Sequence, residues 1–155
     1  MNVKQLSEHI VKPVLMALGM FSGEAFLLLL GTAAQESGGF NFIRQLGSGP
    51  ALGLWQMEPA THDDIVENYL RYRPELANKV LELAGVTEFH SRYLLINLAY
   101  ACAFARLHYR RVKEAIPLSL EGQAHYWKDH YNTHQGKGHP QEFIDNYQRY
   151  VAGQV

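Results

Sequence analysis

An apolar stretch from Phe26 to Ala34 runs without a charge and then closes on a single carboxylate, Glu36. Ser22 ahead of it suits a helix N-cap, and Glu24 places a negative charge in the first turn, where the helix dipole favours it. The stretch therefore reads as a helix ending near Glu36 and buried almost all round. Such a helix delivers its last residue to the edge of the core. Burial and the negative end of the dipole both hold the proton on a carboxyl placed there. A general acid needs that property. Taken alone, a glutamate at a helix end is most often solvated. The residues after Glu36 shift the reading: Ser37-Gly38-Gly39, a loop rich in glycine, and the turn Gly53-Leu54-Trp55-Gln56-Met57.

The remaining pattern is helix after helix. Leu6, Ile10, Val14 and Leu18 recur at helical spacing and stop near Gly19. Gly38, Gly39, Gly47, Ser48, Gly49, Pro50 and Gly53 make residues 37–55 a long loop, with room for a short hairpin between Phe40 and Leu54. A loop of that length in a compact domain is usually functional or disordered. Pro59 opens a helix that Leu70 to Arg73 closes, and Pro74 opens another that stops at Gly85. Thr87 is expected to cap the longest helix, reaching about Val112, with Leu94, Leu95, Leu98, Cys102 and Ala105 inward. Ser119 caps the next, to about Tyr131. Pro140 opens the last, with Phe143, Ile144, Tyr147 and Val151. The expectation is an all-α single domain spanning residues 1–155, with about seven helices and a long glycine-rich loop at its site.

Composition narrows the function. A chain of 155 residues that is 47% apolar has enough core for one domain. Its net charge of −1 advertises neither nucleic acid nor an anionic membrane as partner. Cys102 is the one cysteine, so no internal disulfide can form, and its alanine and phenylalanine neighbours mark it as a core residue. Lys12-Pro13, Ser22 and Glu24 interrupt the early apolar segments, and the uninterrupted run is too short to span a bilayer. Neither a secretory signal nor a transmembrane helix is expected.

Gln56 carries donors and acceptors suited to sugar hydroxyls and N-acetyl groups, although an amide that stabilises its own loop is equally reasonable. Phe40 and Trp55 could stack on sugar rings. Core packing is the default for both, and Phe40, in the glycine-rich loop, is the better cleft candidate. With these residues in view, the chain resembles the lytic transglycosylase and goose-type lysozyme family of peptidoglycan-cleaving domains. Glu36-Ser37 matches the family's Glu-Ser pair. Gly53-Leu54-Trp55-Gln56-Met57, continued by Pro59-Ala60-Thr61, matches its Gly-Leu-hydrophobic-Gln-hydrophobic segment and Pro-Ala-Thr extension. Asn97 to Ala105 resembles its central helix, and Tyr131-Asn132 with Gly136 its Tyr-Asn-Ala-Gly segment. The motifs occur in the family's order. Thr133-His134-Gln135 stands where the family has an alanine, so this loop is longer, and family members are mostly exported.

The resemblance implies a lysozyme-like fold and roles for named residues. Glu36 is the single acid/base. Ser37 and Gln56 contact N-acetyl sugars, Tyr131 reaches toward Glu36, and Asn132 helps to build the site. The substrate implied is the peptidoglycan glycan strand, cut at the β-1,4 bond between N-acetylmuramic acid and N-acetylglucosamine. By residue type alone, Tyr131-Asn132 also reads as an ordinary helix end.

A second carboxylate separates two reactions. An inverting hydrolase needs a base roughly 6.5–9.5 Å from the acid to activate water. A lytic transglycosylase uses the substrate's own acetamido group and 6-hydroxyl and leaves a 1,6-anhydro end. Glu58 stands where goose-type lysozymes carry an acidic residue, though it could equally cap its helix, and Asp63 and Asp64 lie about a turn further. The anhydro-forming reaction is the preferred reading and hydrolysis the alternative. A catalytically idle glycan-binding or virion protein on the same scaffold is a third. His125, His130, His134 and His139 cluster, with His130 and His134 at i, i+4. No His-Glu-x-x-His pattern or cysteine pair accompanies them, so no metal and no cofactor are expected. A metal-dependent hydrolase built on these histidines is the fourth reading. Small size and the missing signal suggest a bacteriophage enzyme, made in the cytoplasm and acting on the bacterial wall, as an endolysin or in the virion.

Overall fold

The computed structural model describes residues 1–132 and 136–155. The chain begins with α1 (Val3–Leu6), a π-helical turn (Ser7–Val11) and α2 (Lys12–Ala17), which run on without a break. The Lys12 N–H reaches back to the Ser7 carbonyl, and Pro13, which has no N–H to give the ladder, comes directly after it. Leu6, Val14 and Leu18 are buried as their spacing predicts.

Next comes α3 (Gly23–Glu36). Ser22 Oγ accepts the Ala25 N–H at 3.1 Å, the expected cap. Every residue from Leu28 to Ala34 is buried, so this helix runs through the core. Its main neighbour is α9 (Pro140–Tyr150). The two approach closely at Gly31, where an added Cβ would lie 2.5 Å from Phe143 Cζ. Asn146 Nδ2 also donates to Gln35 Oε1 at 2.6 Å, pinning the two helices beside Glu36.

After the loop come α4 (Pro59–Asn68), a 3-10 turn (Leu70–Tyr72) and α5 (Pro74–Ala84). The single long helix expected from Thr87 is not formed. A short α6 (Tyr93–Ile96) stops at Asn97, whose backbone is extended, and α7 (Leu98–Arg110) starts afresh. Asn97, not Thr87, is the cap. Its Oδ1 accepts the Tyr100 N–H at 3.0 Å while its Nδ2 donates to the Ala84 carbonyl at 2.9 Å. One carboxamide thus starts α7 and ties down the end of α5. The leucines at 94, 95 and 98 keep helical spacing across the break and so concealed it. The chain closes with α8 (Leu120–Trp127), capped by Ser119 as expected, a second π-helical turn (Lys128–Asn132) and α9.

All of these elements feed one cluster of buried side chains, from Val3 to Val151, with Cys102 fully inside it. Polar groups cross it between α3 and α7, where the Thr32 and Tyr109 hydroxyls meet at 2.8 Å, and between α4 and α7. His62, stacked on Phe104 at 4.4 Å, lies 2.7 Å from the Tyr100 hydroxyl and 2.8 Å from Asp63 Oδ1. Tyr100 also accepts the His90 N–H at 3.2 Å. Asp63 can only accept, so His62 carries its hydrogen on Nδ1 and takes the tyrosine hydrogen on Nε2. The mainly helical architecture matches the sequence expectation. No described helix is long and apolar enough to cross a membrane.

The loop is held by turns rather than by strands. Two isolated bridges, Arg44 with Leu52 and Leu52 with Met57, stand where a hairpin had room to form. Gly53 has φ 82°, and a Cβ there would overlap the Leu94 carbonyl oxygen. Positive φ and collision with backbone act together, and neither is relieved by moving a side chain. Gly53→Ala is expected to lower unfolding free energy by about 3 kcal/mol, measured by urea denaturation. A loss below about 0.5 kcal/mol would contradict this account of the turn.

Candidate active site

Glu36 is the last residue of α3, and its carboxyl meets the indole of Trp127 from α8. Trp127 Nε1 donates to Glu36 Oε1 at 2.8 Å. The indole is fully buried and packs on Phe143 with ring centroids 5.5 Å apart. Burial raises the Glu36 pKa from its ordinary 4.5 to about 7, against the opposing pull of the Trp127 hydrogen bond. The side chain is still partly accessible, and it forms part of the wall of a cleft of about 780 Å3. A carboxyl there keeps its proton up to neutrality and faces a space large enough for a ligand.

The turn at residues 53–57 builds the second wall. Trp55 is buried, and its Nε1 donates to the Leu29 carbonyl of α3 at 2.9 Å. Trp55 is a core residue, and this bond fixes the turn against the helix that carries Glu36. Gln56, with a left-handed φ of 46°, lines the cleft. One of its amide hydrogens goes to the Gly53 carbonyl at 2.8 Å. Among the described residues its side-chain oxygen and second hydrogen have no partner and are open to a ligand. Both readings of this glutamine, loop support and ligand contact, are compatible with that position.

The third wall comes from the π-helical turn after α8. Tyr131 and Asn132 both line the cleft and both belong to a helix end. The Tyr131 hydroxyl donates to the Trp55 carbonyl at 2.5 Å, which fixes it against the turn on the cleft it shares with Glu36. Its ring stacks on Tyr109 at 5.1 Å. Burial, and then the nearby Glu36 charge, hold the Tyr131 phenol well above its ordinary range, so it acts only as a neutral group. Asn132 Oδ1 accepts from Lys128 Nζ at 2.8 Å, and the same ammonium reaches the Gly136 carbonyl at 2.8 Å.

Three of the expected site residues stand elsewhere. Ser37 is fully buried, and its hydroxyl is committed to the turn: it donates to the Ala33 carbonyl at 2.6 Å and accepts the Phe40 N–H at 2.8 Å. Ser37 shapes the bend after Glu36 and does not line the cleft. Phe40 is drawn into the core edge-on to Tyr150, 6.5 Å between centroids. Phe42, two residues on, stands on the cleft wall in its place. Of the second carboxylates, Glu58 lines the cleft, is exposed and caps nothing through its side chain. Asp63 is turned toward His62. Two residues past Thr61, it falls about 200° round the helix, whereas Thr61 does line the cleft.

His108 on α7 also lines the cleft. No sequence feature singles it out, because in the last turn of α7 beside Arg110 it reads as a basic residue suited to a helix C-terminus. Of the C-terminal histidines, His125 and His139 are exposed and His130 packs edge-on to Tyr126 at 4.7 Å. Thr133, His134 and Gln135, with the expected longer loop and the His130–His134 pair, lie outside the described residues. Among the described residues no three His, Cys, Asp or Glu side chains are grouped to hold a metal ion.

Comparison of the chain with protein-family models, with curated proteins and with solved structures finds no match.

The raised Glu36 pKa has a consequence for stability. The folded state holds this proton more tightly than the unfolded chain does. The associated stabilisation is complete below pH 4.5 and is lost as pH rises through about 7. It amounts to at most about 3 kcal/mol. Glu36→Gln keeps an oxygen for Trp127 and has no proton to lose. Relative to that variant, the wild-type protein should lose stability between pH 4.5 and 8, measured by chemical denaturation at each pH. Parallel curves would show that Glu36 titrates normally.

Proposed function

We propose that the protein cleaves peptidoglycan at the β-1,4 bond between N-acetylmuramic acid and N-acetylglucosamine, with Glu36 as the sole acid/base and a 1,6-anhydro sugar as product. The observation that carries this reading is the carboxyl of Glu36, bonded to Trp127 at the end of a buried helix and lining a cleft shared with Gln56, Tyr131 and Asn132; its burial favours the protonated form. The resemblance of the Glu-Ser, Gly-Leu-Trp-Gln-Met and Tyr-Asn segments to the transglycosylase and goose-type lysozyme family supplies the substrate class.

In this reading Glu36 gives its proton to the glycosidic oxygen as the bond to the anomeric carbon breaks. The substrate's acetamido group stabilises the cationic carbon. The 6-hydroxyl of the same sugar then attacks that carbon, and the Glu36 carboxylate takes the hydroxyl proton, which restores the acid. The Trp127 N–H holds one carboxyl oxygen in both charge states and so orients the group throughout. The acid form is needed for the first step, so cleavage should decline as pH rises through about 7.

Glu58 supports a second reading. It is an exposed carboxylate on the same cleft with no capping bond to occupy it. As a base it would activate water, and the product would then be a reducing sugar.

Glu36→Gln is expected to abolish murein lysis in a zymogram while leaving the circular dichroism spectrum unchanged. Lysis by that variant would remove Glu36 from the mechanism. A wild-type protein that binds chitooligosaccharides but clears no murein would mark a glycan-binding protein instead. Mass spectrometry of digested murein separates the two reactions. Anhydro ends, with Glu58→Gln at least a third as active as wild type, fit the lytic reaction. Reducing ends, with Glu58→Gln reduced about a hundredfold or more, fit hydrolysis.

A further inference from the structure

The cleft wall contributed by α4 and α7 has no role in the proposed cleavage. Thr61 and His108 stand there. The His108 ring packs edge-on against Tyr131, centroids 5.0 Å apart, and lies beside Tyr109 at 6.4 Å. Tyr131 is itself fixed by stacking on Tyr109 and by its bond to the Trp55 carbonyl. The imidazole is therefore held by rigid neighbours. Neither ring nitrogen is bonded to a side chain among the described residues.

We propose that His108 is a saccharide-binding residue, whose neutral imidazole hydrogen-bonds a hydroxyl or acetamido group of a sugar seated against Thr61. This rests on the glycan-cleaving reading of the same cleft. The imidazole stands on the cleft wall, and its orientation is already set by the aromatic stack. A sugar needs such a pre-oriented polar group beside an aromatic surface. Every charged neighbour bears on its ionisation. Burial is the largest influence and Arg111 the next, both lowering the pKa; the His130 backbone and Asp64 raise it, and the His130 ring lowers it. The balance brings His108 down to about 4, so between about pH 4 and 7 the contact is uncharged while Glu36 holds its proton.

Chitotetraose binding by titration calorimetry, in the Glu36→Gln background, tests this without turnover. Adding His108→Leu should weaken binding about tenfold, the share of one good hydrogen bond. His108→Gln, which keeps a polar atom, should stay within about threefold. In the background protein the affinity should fall as pH drops through about 4, and His108→Gln should remove that fall. Thermal melts certify the fold of each variant. Equal effects of leucine and glutamine, or binding by the leucine variant within twofold of the background, would overturn the proposal while leaving Glu36 chemistry intact. Absence of chitotetraose binding by Glu36→Gln itself, with that variant folded, would overturn both.

Discussion

The hydrogen bond from Trp127 to Glu36 is the point on which the site depends. A carboxyl at the end of a helix buried from Leu28 to Ala34 has little water to solvate its charge. The indole N–H supplies one fixed donor. Alone it does not offset the desolvation, and the acid therefore stays protonated near neutrality. A second or third donor would favour the ionised form.

The cleft inherits its rigidity from the core through a short relay. Trp55 donates to the backbone of α3, and Tyr131 donates to the backbone of Trp55. Glu36, Gln56 and Tyr131 therefore refer to one another through main-chain atoms, which have few ways to move. Gly53 makes the relay possible, because only a residue without a side chain fits beside the Leu94 carbonyl at that φ. The same aromatic stack, Tyr131 on Tyr109, extends the fixed surface to His108.

Much of this was legible from residue order. Ser22, Pro59, Pro74, Ser119 and Pro140 mark helix starts because capping and proline geometry are local. The apolar run before Glu36 foretold burial because no other environment suits it. The illegible part depends on contacts between distant segments. The break at Asn97 was hidden by leucines that keep helical spacing through it. Ser37 read as a cleft residue, yet a serine one step past a helix end readily bonds its own turn. Phe40 and Phe42 are equivalent in composition, and only the loop path decides which one turns inward. Asp63 and Glu58 are told apart by helical phase. Trp127 and His108 carry no local signal, since their roles arise from which helix lies next to which.

The polar chain from Asp63 through His62 and Tyr100 to His90 stands apart from the cleft, yet every hydrogen in it has a single destination. Packing fills space without regard to direction, so helices held by bulk alone can slide or rotate slightly at little expense. A directed chain acts as a bolt between α4 and α7. Replacing its members with aromatics of equal volume would preserve density in the interior but unlock the angular alignment of the two helices, and with it the separation between Thr61 and His108 on the wall they share.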